Sequence, residues 1–264
     1  MTSTNLSDFA ETSFTYENKT RVVYRKGTGP GVIIIHEIPG ITPKVADFGR
    51  RVAEQGFTVF LPSLFGTPGK EMSNAYAAEQ IVRACISGEF YVLSLGKSSP
   101  ITNWLRALCR HAHAELGGPG VGALGMCLTG NFALSLMVDP VVMAPVLSQP
   151  SLPFGITKTR RQALHLSEAE LSQVKDRTQN GVCILGLRFT NDFMVPPERF
   201  EMLRQQFGSQ FEGIEIDSSP GNPFNIPRSA HSVLTEDLVD EAGHPTKQAL
   251  DRVFTFFKEQ LLRE

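Results

Sequence analysis

The sequence predicts an α/β fold of three layers, with helices on both faces of a mostly parallel central sheet. Three observations predict it. The stretch "GVIIIHEIPG" over 31–40 is a short β-branched apolar run ending in turn residues, as a strand buried on both faces does. A helical segment, "TPKVADFGRRVAEQG", follows it, and then a second apolar strand, "FTVFLPSLFG" (57–66), which together make a βαβ unit. The same alternation continues through the rest of the chain, and buried strands separated by helices pair in parallel.

The elements follow in order. In the first helix Thr42 is placed as N-cap, Pro43 occupies the first helical position and Gly56 closes the last turn. Residues 101–116 carry Trp104, Leu105, Leu108 and Cys109 at helical spacing. "GVGALGM" reads as a strand and "NFALSLMV" as the helix behind it. Strands are expected at 141–149 and 181–192, then a helix at "PPERFEMLRQQFG", a strand at "FEGIEID" and a closing helix at "PTKQALDRVFTFFKEQLL". Residues 1–20 form a polar N-terminal segment. Residues 150–180, rich in Arg, Lys and Gln, read as an excursion after a strand, a lid or wall beside a site. With no internal repeat and no low-complexity linker, residues 1–264 are expected to form one domain.

Composition excludes several classes of function. A formal net charge of −2 gives no long-range attraction to nucleic acid or anionic lipid. No apolar run reaches the roughly 18–20 residues that cross a bilayer. The N-terminal stretch lacks the apolar centre of a secretion signal. Cys85, Cys109, Cys127 and Cys183 include no CxxC pair and no close His spacing, so neither a zinc site nor a disulfide framework is expected. A cytoplasmic protein with reduced thiols, no metal and no cofactor fits these features.

The chemistry gathers at strand ends, where open α/β sheets carry their sites. Cys127 lies in "VGALGMCLTGNFALSLM" (121–137), where an apolar strand meets an apolar helix between glycines. A nucleophile on a sharp strand-to-helix turn needs such glycines; a buried structural thiol does not. Asp192 ends "VCILGLRFTND", and His231 lies in the loop "RSAHSVL" after the next strand. Taken singly, each has a plainer reading: a small buried hydrophobe, a helix cap, a loop histidine. Together they follow the nucleophile, acid, histidine order of the α/β-hydrolase triad. A thiol of ordinary pKa, about 8.5, is only a few per cent ionised at neutral pH, so an imidazole must activate it. That imidazole needs a carboxylate on its other nitrogen to fix tautomer and orientation. The oxyanion would be met by the backbone N–H groups of Leu128 and Ile38. His36, next to Glu37, points the opposite way in an extended segment and reads as structural. His111, His113, His165 and His244 read as surface residues.

Four blocks carry a family resemblance: "HEIPGI" at 36–41, "GMCLTG" around Cys127, "FTNDFMVPPERF" around Asp192 and "AHSVLT" around His231. In this order, from about residue 30 to the C-terminus, they resemble the dienelactone hydrolase family. The resemblance implies an α/β-hydrolase fold, Cys127 as nucleophile, His231 as base and Asp192 as its orienting acid. It also implies that Glu37 contacts the resting thiol and is displaced when substrate binds. Two departures stand out. The family elbow reads G-x-C-x-G-G, whereas Thr129 replaces the first trailing glycine, bringing a hydroxyl near the site. The family binds a substrate carboxylate with arginines; Arg83 is a match for one, the other is missing after His231, and Arg228 precedes it.

The expected function is hydrolysis of a small ester or lactone through a thioester acyl-enzyme. The alternatives are a general carboxylesterase of the same fold or a non-catalytic binding protein. A thiol-redox role would want a resolving cysteine near Cys127, and none is close in sequence. The only expected partner is the small-molecule substrate, with neither nucleic acid nor membrane.

Overall fold

A computed structural model describes residues 6–86 and 99–262, apart from the side chains of residues 84–86, so the Cys85 thiol lies outside the described residues. Eight strands form one sheet in the order β1-β2-β4-β3-β5-β6-β7-β8. The first two are β1 (Ala10–Tyr16) and β2 (Lys19–Lys26), an antiparallel hairpin at the sheet edge. Residues 1–20 were read as a polar N-terminal segment, with no strand assigned to them. Instead Glu17 and Asn18, both at positive φ, turn the chain so that its polar and apolar residues alternate across an edge ribbon. β2 pairs antiparallel with β4 (Thr58–Pro62), and all later pairings are parallel.

The apolar run at 31–40 is a strand only over Gly31–Ile35 (β3), because His36 onward turns out of the sheet. Its side chains alternate between two cores, as period 2 requires. Val32 and Ile34 join one cluster with α1 (Pro43–Glu54) and α8 (Pro245–Leu261). Ile33 and Ile35 join another with Trp104, Leu105 and Leu108 of α3 (Pro100–Leu116). Burial on both faces explains why the strands read as continuous apolar runs. In α1, Thr42 caps the helix by accepting from the Val45 N–H, Pro43 opens it, and Gly56 at φ 91° follows its end.

The remaining strands are β5 (Val121–Met126), β6 (Val142–Ser148), β7 (Ile184–Phe189) and β8 (Phe211–Ile216). The helices that complete the layers are α4 (Phe132–Leu136) and α7 (Pro197–Phe207). A further helix, α2 (Asn74–Ile86), was not anticipated. Nor were two in the polar excursion, α5 (Lys158–Gln162) and α6 (Glu168–Gln179), which begin at the side-chain caps Thr157 and Ser167. Among the described residues no helix is long and apolar enough to cross a membrane.

Candidate active site

β5 runs parallel between β3 and β6, so the carboxyl ends of all three meet. Directly after β5 the chain makes one 3-10 turn over Cys127–Thr129, and Cys127 itself stands at φ 54°. A non-glycine residue there is strained and persists only where its surroundings enforce it. Two glycines let the surroundings close in. A Cβ on Gly125 would lie 2.1 Å from the Thr129 carbonyl oxygen, and one on Gly130 would lie 2.5 Å from Cα of Pro150. The turn leaves the Leu128 N–H in a first helical turn with no intrahelical acceptor.

Thr129 corrects the expectation that its hydroxyl would add a donor to the site. The hydroxyl is buried and turned to the backbone. It accepts from the Met126 N–H at 3.0 Å and lies 2.9–3.2 Å from the carbonyls of Ile35, Met126 and His36. It fastens the turn to the end of β3, a task a glycine side chain cannot do.

Asp192 and His231 come together at 2.6 Å, carboxylate Oδ2 to imidazole Nδ1. The other Asp192 oxygen accepts from the Met194 N–H, which orients the carboxylate from its own loop. Asp192 is therefore not a helix cap; Pro196 is the residue before α7. His231 is fixed from behind, since its N–H and that of Ser232 both donate to Asp237 Oδ2. The imidazole Nε2 is buried and makes no hydrogen bond of good geometry, with the Cys127 sulfur as its neighbour. Burial alone would depress the imidazole pKa, but Cys127 and Asp192 outweigh it and hold the pKa well above 6.5. The arrangement can move a proton between sulfur and Nε2 while Asp192 keeps Nδ1 protonated.

Glu37 does not contact the thiol, contrary to the expected resting contact. Its carboxylate is buried and accepts from Ser232 Oγ at 2.7 Å, from Gln149 Nε2 at 3.1 Å and from Thr235 Oγ1. Burial raises its pKa, with the hydrogen bonds from Thr235 and Ser232 opposing that rise. The Cys127 sulfur instead meets Ser151 Oγ at 3.7 Å, and the Ser151 N–H donates to the Cys127 carbonyl at 2.9 Å. Ile38 follows Glu37 on the loop after β3, and its N–H is not a donor in any hydrogen bond among the described residues.

The two arginines are not joined to this cluster. Arg83 is 71% exposed and pairs with Glu79 on its own helix, and Arg228 is exposed. His36 is buried as expected of a structural residue, accepting from the Leu64 N–H; burial lowers its pKa to about 4. One histidine expected on the surface is not there: His244 is buried as the N-cap of α8, whereas His165 is half-buried. Ser151, Gln149, Ser232 and Thr235 were missed. The only sequence signal for the first two is their position just beyond a strand end beside the nucleophile strand. Among the described residues no group of three or more His, Cys, Asp or Glu is placed to hold a metal ion.

The profile of the dienelactone hydrolase family matches residues 19–261. The chain belongs to the dienelactone hydrolase family. Members of this family are hydrolases of ester bonds, which makes a small ester-type molecule the substrate. A candidate carboxymethylenebutenolidase of Saccharomyces cerevisiae is 24% identical over 196 residues, 73% of this chain and 69% of that protein. Two solved structures share the fold. The dienelactone hydrolase of Anabaena variabilis superposes with a TM-score of 0.60 at 13% identity, over 96% of this chain and 99% of that one. XC6422 of Xanthomonas campestris, an α/β serine hydrolase without a lid, gives 0.58 at 11% identity over 98% and 97%. The fold is that of the α/β hydrolases, with its eight-stranded, mostly parallel sheet.

Proposed function

We propose that the protein hydrolyses a small ester or lactone through a Cys127–His231–Asp192 triad and a thioester intermediate. The observation that carries this is the Asp192–His231 pair at 2.6 Å, with Nε2 left unbonded beside a cysteine held at positive φ. His231 takes the thiol proton and the sulfur attacks the carbonyl carbon. The N–H groups of Leu128 and Ile38 receive the developing oxyanion. As the C–O bond breaks, the leaving oxygen takes the proton back from His231. Water then gives a proton to His231, attacks the thioester and releases the acid and the thiol. A good leaving group such as an enolate suits a sulfur nucleophile. A thiol works only where it stays reduced, so the proposal includes a cytoplasmic location. It also includes one domain over residues 1–264, with the 150–180 excursion as a wall of the site.

Within this reading, one observation favours an uncharged ester over a carboxylate-bearing lactone. Arg83 and Arg228 are exposed and unconnected to the triad, while hydroxyls and an amide, not an arginine, hold Glu37. The test is turnover of p-nitrophenyl esters by Cys127→Ala and Cys127→Ser. Both should lose nearly all activity while keeping the wild-type circular dichroism. Unchanged turnover in Cys127→Ala would end the nucleophile assignment.

A further inference from the structure

A cavity of about 320 Å³ opens between α7 and the polar excursion, lined among others by Pro153, Arg160, Leu164, His165, Leu171 and Met202. Neither Cys127, Asp192 nor His231 lines it. Ligand sites run from about 300 to 1,000 Å³, so this one suits a molecule of a single ring. Most of its wall is apolar, but His165 Nε2 is a buried nitrogen with no hydrogen-bond partner. His165 also stands at φ 64°, and a strained backbone at a cavity is an outlier that points to use.

The charge around the cavity selects the kind of molecule. Arg199 is fully buried and its guanidinium is met by carbonyls alone, those of Pro150, Pro153, Arg160 and Ala163. Carbonyl dipoles satisfy its N–H groups, and the acid that acts on its charge is Asp192, itself bonded to His231. Arg199 lies behind the wall, and the exposed Arg160 is the cation that lines the cavity itself. The acid that acts on His165, Glu170, is already paired with Arg106 at 2.8 Å.

We propose that this cavity is a binding site for a small carboxylic acid with an apolar body. The apolar part rests on Leu164, Leu171 and Met202, one carboxylate oxygen accepts from His165 Nε2–H, and Arg160 balances the charge. Burial and the Arg199 charge keep His165 neutral, with a pKa of about 4, so the tautomer that donates from Nε2 costs no ionisation. Arg199 also connects this cavity to the triad. It holds the carbonyls of Pro150 and Pro153, which flank Ser151, the residue against Cys127. Carboxylic acids are what ester hydrolysis releases, yet the binding proposal stands without that reading.

The test uses benzoate as probe, titrated calorimetrically into protein whose Cys127 has been alkylated with iodoacetamide. Saturable one-to-one binding in the millimolar range is expected, the same before and after alkylation, and tighter than for neutral benzamide. His165→Asn, which tolerates the same backbone, should weaken it about tenfold, the effect of one hydrogen bond to a charged group. Met202→Trp, which fills the cavity from α7, should abolish it and decides the matter alone if the first variant fails to fold. Absence of saturation, benzamide binding as tight as benzoate, or binding that is lost on alkylation and untouched by both substitutions would overturn the proposal.

Discussion

At residue 127 the backbone stands at φ 54°, and the side chain there faces an imidazole whose other nitrogen is held by Asp192. The imidazole pKa is raised above 6.5, so the folded state holds that proton more tightly than the unfolded chain. The stability this supplies is fully present below the unfolded value, about pH 6.5, and is lost as pH rises through the folded value. Asp192→Asn should therefore cost most stability between about pH 5 and 6.5, with the gap to wild type closing at higher pH. Urea midpoints across pH measure it, and a gap independent of pH would contradict the account. The same variant should lower kcat by about 10²- to 10⁴-fold, because an amide no longer fixes the tautomer. Cys127, Asp192 and His231 were legible in the sequence because each lies beyond the carboxyl end of a strand, the first two directly and His231 in the loop that follows, and their chain order matches a known chemistry. Ser151, Gln149 and Thr235 were not, since ordinary polar residues acquire their roles only when neighbouring strands bring them together. His244 was misread although Pro245 and Thr246 after it mark a helix start.

Among the elements, the turn after β5 and the loop after β3 decide the geometry. Thr129 ties them together through one hydroxyl, and Thr129→Val keeps the volume while leaving the buried Met126 N–H without its acceptor. The expected loss is about 1–3 kcal/mol, read from urea unfolding; no loss would mean the hydroxyl is incidental. Glu37 ties the loop after β3 to the histidine loop through Ser232 and Thr235, and to the end of β6 through Gln149. Glu37→Gln should slow turnover by loosening His231, while iodoacetamide labels Cys127 at the wild-type rate. Labelling about tenfold faster, roughly 1.4 kcal/mol in thiolate population, would instead make Glu37 a gate on the thiol. The sequence marked Glu37 but not its partners, because Ser232 and Thr235 lie almost two hundred residues away. The β1–β2 hairpin escaped notice for another reason: an edge ribbon half in water carries too few apolar residues to stand out.

Across the whole molecule, buried arginines bind the variable parts to the sheet. Arg199 gathers four carbonyls of the 150–163 segment, and Arg188 holds the loop bearing Asp192 through the carbonyls of Thr190 and Val195 while pairing with Glu215. The loop bearing Asp192 and the Ser151 wall are thus held by side chains that pattern reading assigns to solvent, because a charged residue in a polar run gives no sign of burial. The parallel core was legible from its apolar runs, and its topology brings the ends of β3, β5, β6 and β7 to one edge. The claim that depends on all of this is that a covalent intermediate forms on Cys127. Mixing the protein with a p-nitrophenyl ester, quenching in acid within the first turnovers and mapping peptides by mass spectrometry tests it directly. The account predicts the acyl mass on the peptide containing Cys127 and its loss on standing with water. Turnover with that peptide unmodified, or with the acyl group on another residue, would contradict it.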